Sequence, residues 1–149
     1  IYTSLFFASG RFLYATADTL AAIRVALERG YDSFWIYGAT GGRLEHTIAN
    51  IQCLLFLKRH GAVGYMVDGR GMCFVMENEE VRFGASRKGY LSLFSLGEKA
   101  RGVDIRGMKY ELSDAEISND FPIGISNEFI GQEAVVRVRQ GQLLGILNY

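Results

Sequence analysis

Residues 34–50, FWIYGATGGRLEHTIAN, constrain this chain more than any other stretch. Four apolar residues, Phe34, Trp35, Ile36 and Tyr37, form a strand-like run that breaks at Gly38, Gly41 and Gly42. Arg43, Leu44, Glu45 and His46 then open a helix. A strand that stops at glycines and feeds a helix N-terminus makes an anion site, because free backbone N–H groups and the positive end of the helix dipole both point at the bend. Three ionisable side chains share that turn, so the chemistry is expected there.

Composition narrows the partners. A 49% hydrophobic content with a single proline describes a folded chain. Sixteen basic and sixteen acidic residues cancel, which removes the broad basic field that nonspecific nucleic-acid binding needs. Cys53 and Cys73 are too few for a disulfide framework and neither sits in a CxxC pair, so a reducing cytoplasm is expected. The longest apolar runs, such as 52–57, are too short to span a bilayer, so no membrane partner is expected. The sequence begins at Ile1 rather than Met, and its first fifteen or so residues do not form a signal peptide. They read as a truncated or rearranged beginning.

In chain order, Asp18 is an N-cap for a helix over 19–29, with Gly30 just past its end and Leu20, Ile23, Ala26 and Leu27 on one buried face. A strand follows over 34–37. A second helix is expected over 44–60, packing Leu44, Ile48, Ile51 and Leu55, with Cys53 buried as a small apolar residue. His60 suits the helix C-terminus through the dipole. A strand over 62–67 ends at Asp68. Helix, strand, helix, strand is the order of a parallel α/β sheet. Beyond Met72 only short strands are expected, over 72–76, 80–83, 90–96 and 107–112. A closing hairpin is expected to join 134–139 to 142–147 across Gln140 and Gly141. Regular short strands imply a sandwich or barrel. The expected fold is a truncated α/β nucleotide-binding domain with a Rossmann-like parallel sheet over 1–69, followed by an all-β sandwich over 70–149.

From the residues alone, two readings of the glycine turn stay open. One is a dinucleotide turn, with Asp68 as the acid ending the next strand, although Leu44 holds the third glycine position. The other is a triphosphate site in which Arg43 clamps phosphate oxygens and carboxylates hold magnesium, although no Lys-Ser/Thr follows the glycines.

GATGGRLEHTIAN, with Asp18-Thr19 upstream and Ile125-Ser126-Asn127-Glu128-Phe129 downstream, resembles the thiamine pyrophosphokinase family. That family's signature is G-A-T-G-G-R-x-D-H followed by an Asn on the same helix, with a later Ser-Asn-Glu motif. The resemblance covers roughly 18–149. It implies diphosphoryl transfer from ATP to thiamine with Mg2+ required, and a homodimer whose thiamine sites lie where one subunit's sandwich meets the other's α/β domain. Carried over by position, Asp18, Arg43, Glu45 and His46 would be catalytic, and Asp18 would also hold the metal. Gly38, Thr40, Gly41, Gly42 and Arg43 would bind ATP. Asn50, Ser126 and Asn127 would contact the second substrate. Glu45 replaces the usual Asp, and Tyr14, Ala15, Thr16 and Ala17 stand where the family's D-K-D-x-T-D motif has its earlier aspartates. A still earlier D-x-D-S motif has no match in 1–13.

Each assignment has a plainer counterpart. Arg43 in a first helical turn opposes the dipole and needs a partner, whereas Glu45 suits the same turn. His46 could be a hydrogen-bonded structural residue, Asp18 a simple cap, and Ser126 and Asn127 an ordinary turn. Trp35 is expected in the core. Stacking on thiamine from the second half would fall to Tyr90, Phe94, Phe121 or Phe129. The first functional expectation is an enzyme, the second a non-catalytic thiamine-binding module, and a distant third an NAD(P)-binding protein.

Overall fold

The computed structural model describes residues 18–40 and 42–149, so expectations for residues 1–17 and for Gly41 lie outside the described residues. The elements are α1 (Asp18–Glu28), β1 (Ser33–Tyr37), α2 (Leu44–Arg59), β2 (Val63–Asp68), β3 (Gly71–Glu77), β4 (Glu80–Phe83), β5 (Tyr90–Ser95), β6 (Lys99–Arg106), β7 (Leu112–Ser118), β8 (Asn127–Glu128), β9 (Ala134–Gln140) and β10 (Gln142–Asn148). The described chain is therefore mostly β-sheet with two helices.

Six strands form one sheet in the order β1-β2-β3-β10-β5-β8, and four form a second in the order β4-β9-β6-β7. β1 and β2 are parallel, in the register Tyr37↔Val67, with α2 as the connection between them. β2 then pairs antiparallel with β3, where Asp68 faces Gly71. One sheet thus runs unbroken through the expected boundary at 69/70. Against its helix face pack Leu54, Met66, Cys73, Val75 and Leu144. Its other face meets the second sheet over Met76, Leu91, Leu93, Val103, Ile105, Val136, Val138, Leu143 and Leu147. Each such side chain, fully buried, contributes about 1.5–3 kcal/mol of transfer free energy.

Gly64 shows how α2 closes on the sheet. A Cβ there would lie 2.6 Å from Leu57 Cδ1 and 3.0 Å from Leu54 Cδ2. The inward stripe of α2 is Asn50, Cys53, Leu54 and Leu57, one step round from the expected one. Leu44 and Ile48 are 71% and 51% exposed, and only Ile51 and Leu55 of the expected face pack inward. The polar Asn50 disguised the true stripe. α1 docks on α2 through Ile23, with Leu20 and Leu27 half-buried, as its spacing implies.

Three further expectations are corrected. The two final strands are not a hairpin: β9 pairs with β4 and β6, while β10 pairs with β3 and β5. Gly141, at φ +110°, carries the chain from one sheet into the other, and a Cβ there would sit 2.8 Å from the Lys99 carbonyl oxygen. A two-residue break serves a sheet crossing as well as a hairpin. Of the stretch 107–112 only Leu112, the first residue of β7, is in a strand; 107–111 connect β6 to β7, and there the Gly107 N–H donates to Glu111 at 2.8 Å. Trp35 is 57% exposed and leans on its register partner Tyr65, ring centroids 4.7 Å apart. It stands on the sheet face opposite α2, beyond the reach of the second sheet.

Candidate functional site

The glycine turn sits where β1 ends and α2 begins, beside the C-terminal end of β2. Open α/β sheets place ligands at that end of parallel strands. Gly38 and Gly42 have φ of +69° and +66°, a left-handed backbone that a side chain would strain. Between them Ala39 is buried, and its carbonyl accepts a 2.9 Å hydrogen bond from the buried Asn50 amide. Asn50 therefore braces the turn from α2 rather than facing solvent. The Thr40 hydroxyl donates to Asp68 Oδ2 at 2.7 Å, and Asp68 Oδ1 accepts the N–H groups of Arg70 and Gly71 at 2.7 and 3.0 Å. The Thr40 bond, then the Arg70 N–H, hold the Asp68 carboxyl below its ordinary range. A pocket of about 180 Å³ is lined by Thr40, Asp68, Arg70 and Asn148 over a floor including Met66 and Cys73.

Arg43 occupies the N-cap position of α2 in an extended conformation and makes no side-chain cap bond. The partner it needs is Glu45: the guanidinium and carboxylate pair directly, both well exposed. Glu45 is held below its ordinary range by its own backbone N–H first and by Arg43 second. His46 is exposed in the same turn. The structure thus brings Gly38, Thr40, Gly42, Arg43, Glu45 and His46 together. Asp18 opens α1 and is exposed, and no hydrogen bond or ion pair to it is found among the described residues.

Ser126 and Asn127 belong to a second turn, entering β8 at the far edge of the same sheet. Ser126 is exposed with φ +54°, and its N–H donates to the buried Ser92 hydroxyl at 3.0 Å. Asn127 is buried, with both ends of its amide on the Tyr110 backbone: Nδ2 donates to the carbonyl at 2.6 Å and Oδ1 accepts the N–H at 2.9 Å. Asn127 is a brace, and Ser126 is the residue it presents. Lys109 closes this corner on Glu128 at 2.8 Å, a bond that raises the lysine pKa. Among the aromatic candidates, Phe129 is buried edge-on to Phe83 at 5.4 Å and Phe94 packs on the helix side. Tyr90, the register partner of Glu128, is exposed, and so is Phe121.

The sequence offered Asp68 only as the acid of the dinucleotide reading and did not single out Arg70. The signal for Asp68 was its place at the end of the second parallel strand. Magnesium, which the resemblance implies, finds a partial donor set in this region. No group of three or more His, Cys, Asp or Glu that could hold a metal occurs among the described residues. One carboxylate and one hydroxyl, Asp68 and Thr40, fit a cation that arrives bound to phosphate and keeps most of its own shell.

A glycine turn on a strand-helix-strand unit is thus continuous, through one sheet, with a β-sandwich that carries its own exposed turn. Residues 77–143 match the family model described as thiamin pyrophosphokinase, vitamin B1 binding domain. The thiamine pyrophosphokinase of Bacillus subtilis (strain 168) is 28% identical over 130 residues, 87% of this chain and 61% of that relative. The crystal structure of thiamine pyrophosphokinase from Bacillus subtilis superposes with a TM-score of 0.79 at 27% identity, over 86% of this chain and 60% of that one. That of the Geobacillus thermodenitrificans protein gives 0.79 and 27%, over 91% and 63%. These findings agree: the chain is similar to thiamine pyrophosphokinases in sequence and in fold. It spans 61% of the length of its curated relative.

Proposed function

We propose that this chain works as a thiamine pyrophosphokinase, moving a diphosphoryl group from ATP to the hydroxyl of thiamine and releasing AMP. The single observation that carries the reading is the conjunction of a braced glycine turn at parallel strand ends with a vitamin B1 binding domain match on the same sheet. In the reaction the thiamine oxygen forms a bond to the β-phosphorus, the bond from that phosphorus to the α–β bridging oxygen breaks, and the hydroxyl proton leaves. Catalysis of this kind is mostly positioning and charge neutralisation. On this reading the N-terminal part belongs to a nucleotide-binding α/β domain. Backbone N–H groups of the turn and Arg43 take the phosphate tail, with Arg43 exchanging Glu45 for phosphate. Thr40 and Asp68 would hold a magnesium ion that arrives with the nucleotide, and it would supply neutralisation of phosphate charge.

Geometry favours a homodimer. The glycine turn follows β1 and Ser126 precedes β8, at opposite edges of the six-stranded sheet. Five strand steps separate them, about 24 Å at ordinary strand spacing. Reacting atoms must come within about 3–3.5 Å, and thiamine is shorter than that gap. A thiamine resting on Ser126 therefore meets the glycine turn of a second copy. Among the described residues no helix is long and apolar enough to cross a membrane. The two free cysteines, Cys53 and Cys73, favour a reducing cytoplasm.

A second reading, a thiamine-binding module without transfer, is favoured by one observation: Arg43 and Glu45 neutralise each other. Titration calorimetry of the chain with thiamine and with Mg-ATP, followed by an AMP-release assay, separates the two. Binding of both with AMP formation supports the kinase, and thiamine binding alone supports the module. Binding of neither removes both readings.

A further inference from the structure

The Thr40 hydroxyl has one hydrogen, and it is committed. Asp68 receives three donors, and Arg70 N and Gly71 N can only donate, so the carboxylate is the acceptor in all three bonds. Thr40 then has no hydrogen left for a phosphate oxygen, the role its place in the turn suggests. What it offers to a ligand is its lone pairs, enriched by the carboxylate behind it. Lone pairs on a hard oxygen suit a hard cation. The same pocket carries the opposite charge on its rim, because Arg70 lines it and forms no ion pair among the described residues. A cavity with a polarised hydroxyl on one side and a guanidinium on the other matches an ion pair, not a lone anion.

The loop is also built to keep this arrangement. Asn50 fixes Ala39, the residue before Thr40. Gly71 lets the 68–71 turn lie against β10, since a Cβ there would fall 1.9 Å from the Leu147 carbonyl oxygen. Both halves of the Thr40–Asp68 bond are thus pinned by their own backbones.

We propose that this pocket takes a phosphate-borne divalent cation, with Thr40 Oγ1 as a direct ligand, Asp68 polarising that hydroxyl, and Arg70 facing an oxygen of the same phosphate. The assignment rests on the nucleotide reading above and gives it a cation ligand independent of Asp18. The division of labour is specific: Thr40 serves the cation and Arg70 serves the phosphate.

The test uses Mn2+ as the probe, followed by electron paramagnetic resonance, with the β,γ-imido analogue of ATP. Calorimetry of the analogue without metal runs in parallel. Thr40→Val is expected to weaken Mn2+ in the ternary complex by about tenfold or more while metal-free nucleotide affinity stays within about twofold, and Thr40→Ser restores wild-type affinity. Arg70→Ala is expected to weaken the metal-free nucleotide as well. Unchanged Mn2+ affinity in Thr40→Val overturns the assignment. So does a loss of metal-free nucleotide affinity in that variant, which would make Thr40 a phosphate donor. Should Thr40→Val fail to fold, Thr40→Ser and Arg70→Ala carry the test, and an Arg70→Ala variant that keeps full nucleotide affinity overturns it. Failure of the wild-type chain to bind nucleotide at all, with or without metal, removes the nucleotide reading and this assignment together.

Discussion

The two turns that carry the candidate chemistry are braced alike and supported differently. Each is held by a buried asparagine bonded to main chain, Asn50 to Ala39 and Asn127 to Tyr110. At the first turn glycines supply the left-handed backbone, whereas at the second Ser126 adopts it with a side chain attached. A non-glycine residue in that region costs roughly 1–2 kcal/mol. The surroundings explain who can bear that cost. The second turn rests on a core closed between two sheets, while the first stands on a flank whose Trp35, Tyr37, Leu44 and Ile48 are exposed. At these two turns the strained residue falls where the packing is complete and the permissive residues where it is not.

The comparison breaks first on core truncation. Leu143→Ala, fully buried between the sheets, is expected to cost about 2–5 kcal/mol in denaturant unfolding, whereas Leu44→Ala on the exposed flank stays within about 0.5 kcal/mol. Equal losses would mean that the flank is covered in solution. The second test exchanges the backbone chemistry of the turns. Ser126→Gly relieves the strain but adds unfolded-state freedom, for a net gain of up to about 1 kcal/mol in thermal unfolding, and Gly42→Ala is expected to lose about 1 kcal/mol. A destabilised Ser126→Gly would show that the serine side chain contributes more than its backbone costs.

The smallest effect is in pH. Asp104 is buried on β6, held below its ordinary range first by the Asp114 N–H and then by Arg139. A depressed carboxyl contributes stability that is complete above its unfolded value, about 3.9, and is lost as pH falls through the folded value. Asp104→Asn is therefore expected to be less stable than wild type at neutral pH, with the gap closing in acid. Glu45→Gln, altering a carboxyl also depressed but exposed at the glycine turn, is expected to show no such gap. Acid titration of the unfolding midpoint in both variants checks the pair.

Local pattern made much of this legible. The helices at 18–28 and 44–59 and the strand at 80–83 follow from spacing and end signals. β6 was hidden because Gly102, at φ +62°, sits in a register shift that breaks the alternation, and because the acid Asp104 is buried on the sheet's outer face by its pairing with Arg139. The partners of β9 and β10 depend on residues far along the chain, so alternation could show two strands but not their separate sheets. At the site, the glycine pattern gathered Thr40, Arg43 and Glu45 into one turn. Asp68 joined them only through the parallel register of β1 and β2, which is a tertiary fact.

β10 is last in order among the described strands yet occupies the middle of the larger sheet, paired on one side with β3 and on the other with β5. During synthesis the ribosome therefore delivers a keystone after the stones it joins. Until those residues emerge, β3 and β5 each present an unpaired edge, open to pairing with other chains. A message cut short a few codons before this strand would yield a protein missing its centre rather than its margin. Quality control should meet such products as folding failures, not as slightly shortened chains.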